Sequence, residues 1–169
     1  MPMNKFEVTI IMVSFYSQNL IEKVIDLIDK EITIIVVENS NSTQCKEFLE
    51  NKYSNVQVIL SEENLGNGAG INIGLRNTNT KYAFYIDIDT EIYKDTIKNL
   101  IDAAVKIDNF TILAPLVENY NYKKTDYHED IKSNSSNHKR MQFVPGCAMF
   151  FNIENVKQVG FFDENFFLF

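Results

Sequence analysis

Three short, unbroken apolar runs dominate the first half of the chain: residues 8–13 (VTIIMV), 32–37 (ITIIVV) and 82–88 (YAFYIDI). Each is rich in β-branched or aromatic residues and too short for a buried helix, so each reads as a strand covered on both faces. A weaker fourth run, residues 56–60 (VQVIL), alternates apolar and polar positions. Helical patterns separate them. Residues 17–30 place Leu20, Val24, Leu27 and Ile28 on one face, with Asn19 and Glu22 spaced as a capping box. Residues 42–52 carry the stripe Cys45, Phe48 and Leu49, and residues 95–107 carry Ile97, Leu100, Ile101, Ala104 and Val105. Buried strands alternating with amphipathic helices predict an α/β fold, a doubly wound and mostly parallel sheet with helices on both faces. Ligands of such sheets gather at the carboxyl ends of the strands.

At 169 residues the chain is expected to form a single domain, residues 1–169. Residues 119–139 are polar and nearly free of aliphatics, which predicts a mobile loop. His128 and His138 fall there and read as solvated loop residues. Beyond it, MQFVPGCAMFF predicts strand, turn and strand, then a short helix near residues 153–159 and an aromatic end, GFFDENFFLF.

A formal charge of −7 would repel a phosphate backbone, so no general nucleic-acid grip is expected. Cys45 and Cys147 alone make neither a disulfide framework nor a four-ligand zinc site. No run approaches membrane-spanning length and no secretory leader is visible, so the expected compartment is the cytoplasm.

Asp87 and Asp89 close the third apolar run. On an extended strand, positions i and i+2 share a side, so both carboxylates could converge on one hard cation, Mg²⁺ or Mn²⁺, completed by water and a diphosphate. Two solvated acids at a loop start would carry the same spelling. Glu38, ending the second run in ENSNS, could accept hydrogen bonds from a base or ribose, or help cap the next helix; Ser42 reads as that cap. Residues 64–74 (NLGNGAGINIG) hold four of the six glycines and suggest turns that let backbone approach phosphate or sugar. The dinucleotide spacing G-x-G-x-x-G fails in both registers, because its sixth position is Ile71 or Ile73. No P-loop lysine follows either.

In order along the chain, VTIIMVSFYS, IIVVENSNS, NLGNGAGINIG, YAFYIDIDT and VPGCAMFF with VGFFDENFF resemble the family 2 inverting glycosyltransferases, of GT-A fold, in their bacterial rhamnosyltransferase-like branch. Two departures stand out: Tyr16 where the family often has Asn, and Glu38 where it usually has Asp. The resemblance implies a nucleoside-diphosphate sugar donor, contacted by Ser14, Phe15, Glu38, Asn64, Gly66, Asn72 and Asp87. It implies a metal on Asp89, with Asp87 on the metal or the ribose. The acceptor would be a saccharide or lipid-linked glycan. That would bring the protein to the inner face of the membrane in peripheral association, with self-association through an apolar C-terminal edge (Phe161, Phe162, Phe166, Phe167, Phe169).

The general base of the family falls shortly after the FDE element, so it is expected beyond Phe169, with the acceptor side of the protein. Asp163 and Glu164 match FDE, not the base. Two other readings compete. One is a nucleotide-sugar-binding fragment without transfer activity. The other is a sugar-nucleotide pyrophosphorylase, which expects a Gly-rich, Arg- or Lys-bearing loop after the first strand, where SFYSQN has none.

Overall fold

A computed structural model describes residues 7–107, 109–118, 120–121, 123 and 139–167. The expected mobile loop at 119–139 therefore lies almost wholly outside the described residues, as do both histidines.

The four apolar runs form the parallel strands β1 (Val8–Ser14), β2 (Thr33–Glu38), β3 (Val56–Leu60) and β4 (Tyr82–Ile86). With β5 (Ile112–Leu113) and β6 (Ala148–Asn152) they make a six-stranded sheet of order β3-β2-β1-β4-β6-β5. β1 pairs in parallel with β2 and β4, and β6 runs antiparallel to β4 and β5. The strands alternate with α1 (Gln18–Ile25), α2 (Thr43–Lys52), α3 (Gly66–Arg76), α4 (Thr96–Lys106) and α5 (Ile153–Val159).

Alternating strand residues feed two cores. Ile10, Met12, Ile34, Val36, Phe84 and Phe150 pack under α1, α2 and α4; Ile11, Ala83, Tyr85, Met149 and Phe151 pack under α3 and α5. Helices thus cover both faces, as the unbroken apolar runs require.

Several local expectations are corrected. The third run stops being strand at Ile86, and Thr90 N–H closes a turn onto the Asp87 carbonyl at 3.0 Å. In α1 the N-cap is Ser17, not Asn19, and the buried face is Ile21, Val24 and Ile25, followed by Ile28; Leu20 and Leu27 point to solvent. Phe48 and Val105 are likewise exposed rather than on their buried stripes. No strand precedes the turn in MQFVPGCAMFF: Met141 makes an isolated bridge, and only the second half forms a strand, β6.

The largest correction is α3. Two of its glycines, Gly70 and Gly74, are not turn residues: they let the helix sink onto β1. A β-carbon on Gly70 would stand 2.7 Å from Val13 Cγ1, and one on Gly74 would stand 2.4 Å from Ile11 Cγ2. Side-chain-free contact replaces helix propensity as the reason for these residues.

Ser42 caps α2 as expected, accepting the Cys45 N–H at 3.1 Å. One turn further on, α2 also covers the edge of the sheet. Lys46 Nζ donates to the Val58 carbonyl at 2.7 Å, and Glu50 Oε1 accepts the Val58 N–H at 2.8 Å. The two side chains form an i,i+4 ion pair at 3.3 Å.

Candidate functional site

β1, β2 and β4 end side by side, with β1 central, and their carboxyl ends carry most of the polar residues singled out in the sequence. Ser14 and Glu38 are register partners across β1 and β2, so their side chains leave the sheet on the same face. Both are buried, at 1% exposure. Glu38 Oε1 accepts the Ser40 N–H at 2.8 Å and also the Ser40 hydroxyl. Its other oxygen, Oε2, and Ser14 Oγ are buried without a hydrogen-bond partner among the described residues. A buried oxygen left unsatisfied favours a ligand or water that brings a donor.

Beside this pair opens a cleft of about 550 Å³, lined by Tyr16–Leu20 on one wall and by Glu38, Ser40, Ser42 and Cys45 on the other. The Cys45 thiol at its base is pushed up to about 11, first by burial and then by the Glu38 carboxylate, so it stays protonated. At the rim, Phe15 and Tyr16 are exposed and meet edge to face with centroids 4.6 Å apart. Tyr16 holds φ at 52°, in the left-handed region. That conformation suits Asn far better than Tyr.

Asn39, next to Glu38, is a structural hub that the sequence did not single out. Its Nδ2 donates to the Gly66 carbonyl at 3.1 Å and its Oδ1 accepts the Ser61 hydroxyl at 2.9 Å. The end of β2 is thereby tied to the end of β3 and the start of α3.

Asp87 and Asp89 lie across β1 from Glu38, at the end of β4. Asp87 N–H donates to the Cys147 carbonyl at 2.9 Å, and the Tyr85 hydroxyl donates to Asp87 Oδ1. Burial holds the Asp87 carboxyl above its usual range; the Tyr85 hydrogen bond opposes this and the Asp89 charge adds to it. The carboxylates approach through a turn, not along a strand, and Asp89 is exposed. Cys147 is kept protonated by burial and by Asp87, which leaves oxygen as the donor type. A half-buried carboxylate whose ionisation is opposed by burial and by the neighbouring Asp89 charge fits a hard divalent cation. Among the described residues no cluster of three or more His, Cys, Asp and Glu gathers for a metal, so water and ligand oxygens would complete the shell.

The remaining predicted site residues, Asn64, Gly66 and Asn72, are engaged in contacts within the fold. Asn64 Oδ1 accepts the Gly66 N–H at 3.1 Å, shaping the entry to α3. Gly66, at φ 80°, has the Phe167 carbonyl 2.4 Å from where a β-carbon would stand. Asn72 is fully buried, and its amide is engaged with Phe162 and Glu164. Glu164 also meets Arg76 at 2.7 Å, and Asp163 accepts from Asn165. The sequence assigned no base role to either acid, and both are occupied in shaping the C-terminal segment.

In structure, the chain is similar to residues 1–349 of S. aureus TarS (TM-score 0.67, 20% identity, 94% of this chain and 50% of that one). TarS has also been solved with UDP and with UDP-GlcNAc. It is similar too to the mannosyltransferase PcManGT from Pyrobaculum calidifontis, solved with GDP-Man and Mn²⁺ (TM-score 0.67, 15% identity, 94% and 48%). The shared architecture is the GT-A fold.

In sequence, the chain is 22% identical to the low-salt glycan biosynthesis hexosyltransferase Agl10 of Haloferax volcanii, over 96% of this chain and 58% of that protein. It is 30% identical to the uncharacterized glycosyltransferase RP339 of Rickettsia prowazekii, over 58% and 30%. The chain thus spans little more than half the length of Agl10 and under a third of RP339. The model of glycosyl transferase family 2 matches residues 9–158, which include every strand end described above, and the chain belongs to that family.

Proposed function

We propose that this protein binds a nucleoside-diphosphate sugar across the carboxyl ends of β2, β1 and β4 and takes part in transferring the sugar, with inversion, to a saccharide or lipid-linked glycan. The observation that carries the reading is Glu38 Oε2, a buried acceptor without a partner beside the 550 Å³ cleft. A nucleobase N–H would supply the missing donor, and Ser14 Oγ, equally unpartnered, could turn to a base carbonyl. Phe15 and Tyr16 offer exposed aromatic surface at the rim for the nucleoside.

On the other side of β1, Asp87 and Asp89 would hold Mg²⁺ or Mn²⁺, whose chemistry is to offset charge on the departing diphosphate. The ligands named for TarS and PcManGT (UDP, UDP-GlcNAc and GDP-Man with Mn²⁺) support a donor of this class. The glycan-biosynthesis name of Agl10 supports a glycan acceptor. No helix among the described residues is long and apolar enough to cross a membrane. The proposed meeting with a lipid-linked acceptor would be peripheral, at the cytoplasmic face.

The test is calorimetric titration with UDP and GDP, with and without Mn²⁺, on the native chain and on Asp89→Asn. Binding that Mn²⁺ tightens in the native chain and not in the variant is expected. If neither nucleotide binds under either condition, the reading fails. Donor hydrolysis or transfer then separates an active enzyme from a donor-binding module.

A further inference from the structure

We propose that Tyr85 and Asn67 form a relay that positions the Asp87 carboxylate for a divalent cation; the inference rests on the metal site proposed above. Tyr85 is 1% exposed, its ring packed in the core beneath α3. A phenylalanine would bury the same ring without a polar atom, as Phe84 does one residue earlier on the opposite face. The hydroxyl therefore needs a partner, and it has two. It donates to Asp87 Oδ1, and it lies 2.9 Å from the carboxamide of Asn67 in the first turn of α3.

A phenol has one proton and the carboxylate is the stronger acceptor, so the proton goes to Asp87. Asn67 completes the chain by turning its NH₂ to the phenol oxygen, a half-rotation of the amide. The order is then Asn67 N–H to Tyr85 O–H to Asp87 Oδ1.

What this does for Asp87 follows from where Asp87 sits. The β4 ladder has ended, and the residue opens a turn. The Cys147 carbonyl fixes its backbone N–H, and Tyr85 fixes its side chain. One carboxylate oxygen is committed, which restricts the rotamer and aims the group. Such outer partners set the orientation and affinity of metal ligands. Asn67 in turn is fixed by its neighbour Gly66, whose carbonyl takes the Asn39 amide. The two sides of the crevice, Glu38 and Asp87, are thus linked through the start of α3.

The experiment measures Mn²⁺ affinity and, separately, metal-free UDP and GDP affinity in Tyr85→Phe, Asn67→Ala, the double variant and Asp87→Asn. Tyr85→Phe should weaken Mn²⁺ binding about 10–100-fold, leave metal-free nucleotide binding unchanged and keep the native circular dichroism. Asn67→Ala should move in the same direction by less, and the double variant should be no worse than Tyr85→Phe. Full Mn²⁺ affinity in both single variants, with loss in Asp87→Asn, overturns the relay alone. An equal loss of metal-free binding in Tyr85→Phe overturns it too, since the effect would then be structural. Full Mn²⁺ affinity in Asp87→Asn, or none in the native chain, overturns the metal site itself.

Discussion

Asn72 holds Phe162 as a neighbouring strand would: its Oδ1 accepts the Phe162 N–H at 3.0 Å while its Nδ2 donates to the Phe162 carbonyl at 2.8 Å. The same Nδ2 reaches Glu164 Oε1 at 2.9 Å. One buried side chain on α3 therefore fixes the path of a segment 90 residues away.

Asn72→Ala leaves the Phe162 N–H and carbonyl without partners, and should cost about 3 kcal/mol. Arg76→Ala removes an exposed ion pair to Glu164 and a guanidinium–ring contact with Phe161, 4.9 Å to its centroid, and should cost about 1 kcal/mol. Urea unfolding of the two variants measures both. Equal losses would mean that Arg76 holds the segment as firmly as the Asn72 amide does.

Gly74→Ala should destabilise by about 1–3 kcal/mol, because the new methyl falls on the buried Ile11 side chain. Gly68→Ala meets Phe162 Cβ at an ordinary 3.6 Å and should instead stabilise, by up to about 1 kcal/mol from helix propensity. Opposite signs in denaturant midpoints are the expected outcome.

Asp87→Asn should raise the metal-free melting temperature at neutral pH. Burial raises the folded-state pKa of Asp87 above its unfolded value. The folded chain then binds more protons than the unfolded one between the two values, so stability is lost as pH rises through the folded pKa. The neutral Asn avoids that loss, and its advantage should vanish below the ordinary carboxylate range. Melting curves across acid and neutral pH, without divalent metal, check the sign.

Glu38→Gln should weaken metal-free UDP or GDP binding about tenfold or more, the scale of a lost charged hydrogen bond. Titration in the presence of chelator isolates this from the metal. Unchanged affinity would remove Glu38 from the site.

Much of this was legible in the sequence because the strands are buried on both faces, and such burial writes itself as unbroken Val, Ile and Phe. The proposed site residues Ser14, Glu38, Asp87 and Asp89 were legible for a related reason: they are where each apolar run turns polar. α3 was not, since Gly66, Gly68, Gly70 and Gly74 spell a turn by local propensity, and the reason for Gly70 and Gly74 in a helix is the nearness of Val13 and Ile11. The face of α1 was misread because Leu20 and Ile21 are equally apolar and the cap at Ser17 sets the phase. Tyr85 looked like one more core aromatic. Its partner Asn67 is 18 residues away, brought within reach by the packing of α3 on β1.

The cover that α2 lays over β3 bears on how the protein behaves when crowded. An outermost strand ordinarily offers its free N–H and C=O groups as a template on which another chain can add, the route to amyloid-like stacking. At Val58 both groups are already taken, by Glu50 and Lys46. The two charged side chains also stand where an incoming strand would have to lie. Replacing both with alanine would open that flank, and the expected gain is thioflavin-positive aggregate at concentrations where the native chain stays clear.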